Sequence, residues 1–231
     1  MKYTNLSPEQ LFEAGAHFGH QIKRWNPKMA KYIWGTRGGV HIIDLEKTVN
    51  AVETAGEALE KLVAAGKRVV LVGTKRQAKE AVHKVAGELK IPQVTNRWLG
   101  GIITNWKQIK DRINKLDDLK KKRESGELKK YTKREQLEFD REISKLEKFF
   151  GGLSKLEGAP EVLVVVDTHK ERSAVKEAIR RGLVVIGICD TNSNPDGIEY
   201  VIPMNDDSTN AIDLVISALG QAIARGKQAK N

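Results

Sequence analysis

Four short aliphatic runs, separated by turns and helical patterns, limit what this chain can fold into. Val69-Val70-Leu71-Val72 and Val162-Leu163-Val164-Val165-Val166 show no polar alternation, which marks strands buried on both faces of a parallel sheet. Val184-Val185-Ile186 and Tyr200-Val201-Ile202 continue the series. The first run turns at Gly73-Thr74-Lys75-Arg76 into a helical pattern of Ala78, Ala81, Val82 and Val85. The second turns at Asp167-Thr168-His169 and leads through a helix to Arg181-Gly182; a final helix is expected from about Ser208 to Ala224. Strands alternating with helices predict an α/β domain whose parallel sheet is covered on both faces through right-handed crossovers. The expected core is doubly wound and Rossmann-like.

The N-terminal third reads differently. Ser7-Pro8-Glu9-Gln10 combines an N-cap, a first-turn proline and a capping-box glutamine, so a short helix should run from Pro8 to about Ala14, broken by Gly15 and Gly19. Apolar runs on either side of Gly35-Thr36-Arg37-Gly38-Gly39 suggest a hairpin. From Leu45, the positions Val49, Val52, Ala55, Leu59, Leu62 and Val63 keep helical spacing until Gly66.

Residues 102–153 form a third region. Trp106, Ile109, Ile113 and Leu116 recur at steps of three and four, as do Phe139, Ile143, Leu146, Phe150 and Leu153. Such narrow seams suit two helices that pack mainly on each other. Ser125-Gly126 ends the first helix, and Thr132-Lys133-Arg134-Glu135 opens the second with a capping box. The expected organisation is a globular α/β unit from residues 1–101 and 154–231, with 102–153 projecting as an antiparallel two-helix hairpin.

Charge then narrows the choice of partner. The 40 Lys and Arg residues exceed the 30 Asp and Glu residues by ten. Such a surplus ranks nucleic acid, an anionic membrane or an acidic protein first. It is concentrated: Lys120, Lys121, Lys122, Arg123, Lys129, Lys130, Lys133 and Arg134 face only Glu124 and Glu127 across the hairpin tip. A polyanion that gives up condensed counterions would relieve this self-repulsion, so the tip is read as a phosphate-backbone contact. A second basic patch holds Lys23, Arg24, Lys28, Lys31 and Arg37 near Trp25 and Trp34, two rings expected to anchor the hairpin core, with stacking on unpaired bases as the alternative; Lys23, Arg24, Lys28 and Arg37 are its candidate RNA contacts. Lys75, Arg76 and Arg97, on turns, complete the candidate RNA-contacting set; Arg97 could instead tie the hairpin base to the domain.

Other chemistries find less support. The strand-following turns hold no Gly-x-Gly-x-x-Gly fingerprint and no Gly-Lys-Ser/Thr phosphate loop, although Gly73-Thr74-Lys75-Arg76 could hold a phosphate at a helix N-terminus. Asp167 and Asp190 could serve as acid and base or simply cap helices. The alternative function is therefore a nucleotide- or phosphosugar-binding Rossmann-like enzyme with a basic nucleic-acid-binding arm. His17 and His20, three apart, could share a helical face, but a zinc site needs more ligands than they offer, which an Asp or His41 could supply only through the fold; they are read as hydrogen-bonded packing histidines, and neither metal nor cofactor is expected. The longest apolar runs fall far short of the roughly 20 residues needed to span a bilayer. The start, Met1 to Asn5, is polar, and the single cysteine, Cys189, sits in a strand pattern as a buried thiol, so the expected location is the cytoplasm. The tip has almost no apolar face for a membrane to bury.

Gly15-Ala16-His17-Phe18-Gly19-His20, Trp25-Asn26-Pro27-Lys28-Met29, Gly73-Thr74-Lys75, Arg97-Trp98-Leu99-Gly100-Gly101 and Asp190-Thr191-Asn192 followed by Pro195 occur in that order. Together with the inserted basic hairpin they closely resemble the bacterial small-subunit ribosomal protein 2 family over essentially the whole chain. The resemblance implies a flavodoxin-like, five-stranded parallel sheet with an inserted antiparallel coiled-coil hairpin. It implies binding to small-subunit ribosomal RNA near the junction of head and body, contact with neighbouring ribosomal proteins, and help in docking the messenger-binding protein built of OB-fold repeats. It implies no catalysis and no small-molecule substrate. His17, His20, Trp25, Asn26 and Pro27 match the family's N-terminal motif, which does not divide them between RNA contact and packing. The tail from Arg225 to Asn231 is expected to be disordered or RNA-associated.

Overall fold

Capping chemistry sets the first element. In the computed structural model, which describes residues 6–230, helix α1 (Pro8–Glu13) begins where the Ser7 hydroxyl accepts from the Gln10 N–H and the Gln10 side chain accepts from the Ser7 N–H. The expectations for Met1 to Asn5 and for Asn231 fall outside the described residues. The hairpin expected around Gly38 is present as β2 (Ile33–Arg37) and β3 (Val40–Ile43). It gains a third strand that the sequence did not suggest, β1 (Phe18–Gln21), which pairs antiparallel with β3. His17 and His20 therefore share no helical face. His17 stacks on Phe12 with ring centroids 4.3 Å apart, whereas His20 lies within β1 and reaches Asp190.

Helix α2 (Leu45–Ala64), capped by Asp44, leads into the parallel sheet. Its strands are β4 (Val69–Val72), β5 (Gln93–Val94), β6 (Val162–Val166), β7 (Val184–Cys189) and β8 (Tyr200–Pro203), in the order β5-β4-β6-β7-β8. All four pairings are parallel, as the continuous aliphatic runs predict. This is the flavodoxin-like order, with its switch point between β4 and β6. The fifth strand, implied only by the resemblance, is the two-residue β5 at one edge.

Helices α3 (Arg76–Leu89) and α7 (Thr209–Lys230) pack with α2 against one face of the sheet. The helix at the C-terminus continues to Lys230 instead of fraying after Ala224; Arg225 anchors it to Glu60 at 2.8 Å, and the Lys227 ammonium caps the Leu89 carbonyl at 2.6 Å. The other face is covered by α6 (Arg172–Arg180) and by the base of the inserted hairpin, α4 (Trp106–Glu124) and α5 (Lys133–Phe150). Ile109, Ile113, Leu116 and Leu119 from α4 meet Ile143, Leu146 and Phe150 from α5 in one buried seam, which runs on into the sheet residues Val70, Val72, Leu163 and Val165. Each such side chain contributes about 1.5–3 kcal/mol through burial. The Thr132 capping box forms as expected, and Gly126 takes φ +76 to end the first helix.

Candidate nucleic-acid interface

The tip of the hairpin is partly neutralised by carboxylates of its second helix and by Glu127 within the tip itself. Lys120 pairs with Glu147, Arg123 approaches Asp140 at 3.9 Å, Lys130 reaches Glu127 at 3.2 Å, and Arg134 reaches Glu138 at 3.6 Å. Counting only residues 120–134 hides this compensation, because Asp140 and Glu147 lie on the returning helix. Among the described residues, Lys121, Lys122, Lys129 and Lys133 enter no ion pair, and all four are exposed. They flank a turn held by buried Leu128 and by Tyr131, whose ring meets Phe139 edge-on at 5.2 Å. The cations at the end of this hairpin thus sit on an ordered scaffold.

At the other end, one side chain fixes the hairpin base. The Glu177 carboxylate on α6 accepts from the Trp98 indole Nε1 at 3.0 Å, from the backbone N–H groups of Gly101, Ile103 and Thr104 at 2.8–3.2 Å, and from the Thr104 hydroxyl at 2.8 Å. Gly101, at φ +102, bends the chain so that these N–H groups converge. Burial opposes the charge on Glu177, but the donors win and hold its carboxyl below the usual carboxylate range. Trp98 is buried in this arrangement and Arg97 is exposed, so the indole secures the hairpin and Arg97 is left at the surface.

The N-terminal patch divides. Lys23, Arg24 and Arg37 are exposed, and Lys28 pairs with Asp196. The two tryptophans part company against expectation: Trp25 is half-buried over His41 at 4.9 Å, while Trp34 points off the edge strand β2 and is 77% exposed. Phe12 and Phe18 are also exposed, and with Trp34, Arg37 and Ile42 they line a groove of about 850 Å³. An aromatic cluster this open is uncommon on a surface that has no partner.

The carboxyl edge of the parallel sheet, where such folds receive ligands, is closed by the protein's own charges. Lys75 stands at the N-cap position of α3 without capping it, and its side chain turns inward: its ammonium lies 2.5 Å from Asp206, 2.6 Å from Asp207 and 3.4 Å from Asp167. It is therefore withdrawn from the candidate RNA contacts, while its neighbour Arg76 is exposed. A phosphate at this turn would meet three carboxylates around one ammonium, which removes the sequence-based case for a phosphate site. Burial, reinforced by Asp167 and Asp190, holds the Asp206 carboxyl well above the ordinary carboxylate range. Glu171 is buried nearby, raised by burial, and accepts from the Thr74 hydroxyl. Asp190 caps its own turn, accepting from the Thr191 N–H and hydroxyl, and faces His20 Nδ1 at 2.9 Å. Strand β1 seals this edge, with the His20 N–H donating to Thr191 Oγ1 at 2.9 Å and the Asn26 N–H to the Thr191 carbonyl at 2.8 Å. Cys189 is buried beside Thr168, as expected.

Comparison with known proteins adds a separate line. The sequence profile of the family described as Ribosomal protein S2 matches residues 11–226. A relative from Acinetobacter baylyi, named small ribosomal subunit protein uS2, is 47% identical over 224 residues, covering 97% of this chain and 90% of its own. Its namesake from Psychrobacter cryohalolentis is 46% identical over 225 residues, covering 97% and 85%. Another of that name, from Methylorubrum populi, is 49% identical over 230 residues, covering 98% of this chain and 65% of its own.

Proposed function

The chain belongs to the ribosomal protein S2 family, a family of structural and not catalytic proteins of the small ribosomal subunit, and on that premise we propose that it holds small-subunit ribosomal RNA chiefly through the hairpin tip. The observation that carries this reading is the set of four exposed lysines, Lys121, Lys122, Lys129 and Lys133, which form no ion pair among the described residues and stand at the end of a buried apolar seam. Lys120, Lys130, Arg123 and Arg134 add to the field but exchange existing partners when they meet phosphate. Phosphate contacts of this kind supply affinity and register, and the fixed angle of the hairpin supplies selection by shape. Lys23, Arg24, Arg37, Arg76 and Arg97 offer further exposed contacts, and Lys28 joins them by releasing Asp196. On this reading the protein works in the bacterial cytoplasm, in the ribosome, without a catalytic cofactor or small-molecule substrate.

The aromatic groove of Phe12, Phe18 and Trp34 supports the second part of the reading, docking of a neighbouring ribosomal protein, specifically the messenger-binding protein built of OB-fold repeats. An open aromatic cluster suits a protein partner better than a phosphate backbone. Binding of the full chain to a small-subunit ribosomal RNA fragment, titrated by anisotropy from 50 to 300 mM salt, tests the RNA reading. A steep fall in affinity is expected. Affinity that does not change with salt would remove the phosphate-contact mechanism.

A further inference from the structure

We propose that His20, Asp190 and Asp207 form a binding site for one divalent cation of the zinc class, which clasps the antiparallel sheet onto the carboxyl edge of the parallel sheet. Each residue offers one ligand atom, and these atoms lie within 4.8 Å of one another. They come from three separate places in the chain: β1, the turn after β7, and the turn between β8 and α7. An imidazole with two carboxylates is a donor set that zinc accepts, with water in the remaining position.

Two further observations point to a cation. Asp190 is 1% exposed, and its Oδ2 receives no hydrogen bond from any N–H or O–H of the described residues apart from what the His20 ring can give. Its other oxygen is already taken by Thr191. The charge count is also unbalanced: among the described residues Asp167, Glu171, Asp190, Asp206 and Asp207 gather at this edge around two ammonium groups, Lys170 beside Glu171 and Lys75, which contacts Asp167, Asp206 and Asp207 but not Asp190. Asp190, which Lys75 does not reach, is the carboxylate that faces the imidazole. Asp207 is exposed, which gives an ion a way in and leaves room for water. His20 is already oriented, because its backbone N–H is tied to Thr191 Oγ1. The absence of a thiolate disfavours copper(I), since Cys189 Sγ faces Thr168 and the Gly187 carbonyl, and the imidazole disfavours magnesium and calcium. His17, stacked on Phe12, takes no part.

The role is structural, and the proposal does not depend on RNA binding. The test uses the full chain after treatment with a chelator, titrated with Zn²⁺ against a chromophoric competitor and followed by thermal unfolding. One equivalent per chain should bind, Tm should rise by about 5 °C at saturation, and Mg²⁺ at the same concentration should do neither. Co²⁺ should give a visible d–d absorption. His20→Gln should abolish that band and weaken Zn²⁺ by about 100-fold or more; His17→Gln should leave both unchanged. Asp207→Asn, at an exposed position, keeps the test decisive if His20→Gln unfolds, and it should weaken Zn²⁺ in the same way. Failure of the parent chain to bind one equivalent, tight binding retained in Asp207→Asn, or equal binding of Mg²⁺ would each overturn the site.

Discussion

The indole Nε1 of Trp98 donates to Glu177 Oε2 at 3.0 Å, joining a loop before the hairpin to a helix that follows it 79 residues later. Glu177 also gathers three backbone N–H groups and a hydroxyl of that loop, so one carboxylate ties the start of α4 to α6. Replacing Glu177 with Ala leaves those donors without their shared acceptor. The expected cost is about 3 kcal/mol, read as a lower denaturation midpoint, with helix content retained. A change below about 0.5 kcal/mol would show that water replaces the carboxylate without loss.

The same carboxylate gives a pH dependence of definite sign. Burial works against the charge, but the Thr104, Trp98 and Ile103 donors lower the folded-state pKa below its ordinary value. Stability from Glu177 is therefore present above the unfolded-state value and is lost as pH falls through the folded one. Urea unfolding at pH 7, 5 and 4 should show the parent chain losing more stability on acidification than Glu177→Gln. Parallel losses in the two proteins would assign the acid sensitivity to other groups.

Much of this architecture is readable in the residues. β4, β6 and β7 are legible because an aliphatic run buried on both faces carries its own signature, the half-buried edge strand β8 because it continues the same alternation, and the capping boxes at Ser7 and Thr132 because they act within four residues. β1 is not legible: Phe18–Gln21 is short, contains Gly19, and becomes a strand by pairing with β3 and docking on Thr191, 171 residues away from His20. β5, two residues after Pro92, is too short to show a period. The part played by Lys75 is hidden for the same reason, since a Thr-Lys pair after a strand looks like a phosphate turn until the distant Asp206 and Asp207 are placed beside it. Glu177 carries no local mark; the only hint is a loop, Leu99 to Thr104, with N–H groups in want of an acceptor.

Gly152 sits where the hairpin returns to the sheet edge. A Cβ there would overlap the Gln93 carbonyl, a backbone group that cannot turn aside. Gly152→Ala should cost about 2 kcal/mol through this clash and loosen β5. Gly100→Ala, where a Cβ meets nothing within 4 Å, is the matched control and should change stability by less than about 0.5 kcal/mol. Equal effects from the two would refute the contact as the reason for glycine at 152.

Trp34 separates docking from folding. Its ring is 77% exposed on an edge strand, so Trp34→Ala should leave the denaturation midpoint within about 0.5 kcal/mol of the parent. If the groove receives the OB-repeat protein, the same substitution should weaken that protein's retention on reconstituted small subunits by roughly tenfold or more, as loss of an aromatic anchor does. RNA affinity of the isolated chain should be unchanged. Loss of RNA affinity with retention intact would instead make Trp34 a base-stacking platform.

The tip provides the most discriminating measurement, because its cations fall into two classes. Lys121, Lys122, Lys129 and Lys133 have no ion pair to give up among the described residues, whereas Lys120, Arg123, Lys130 and Arg134 must each leave a carboxylate before taking a phosphate. Charge count alone predicts equal effects for the two sets. If the unpaired set makes the contacts, replacing all four of those lysines with Ala should lower the slope of log affinity against log salt by roughly 3, at about 0.7–0.9 per phosphate. Replacing the paired set should lower it less and should cost some hairpin stability through the stranded Glu147 and Asp140. Circular dichroism of both variants establishes that the helices persist. An unchanged slope in the first variant would move the RNA contact away from the tip.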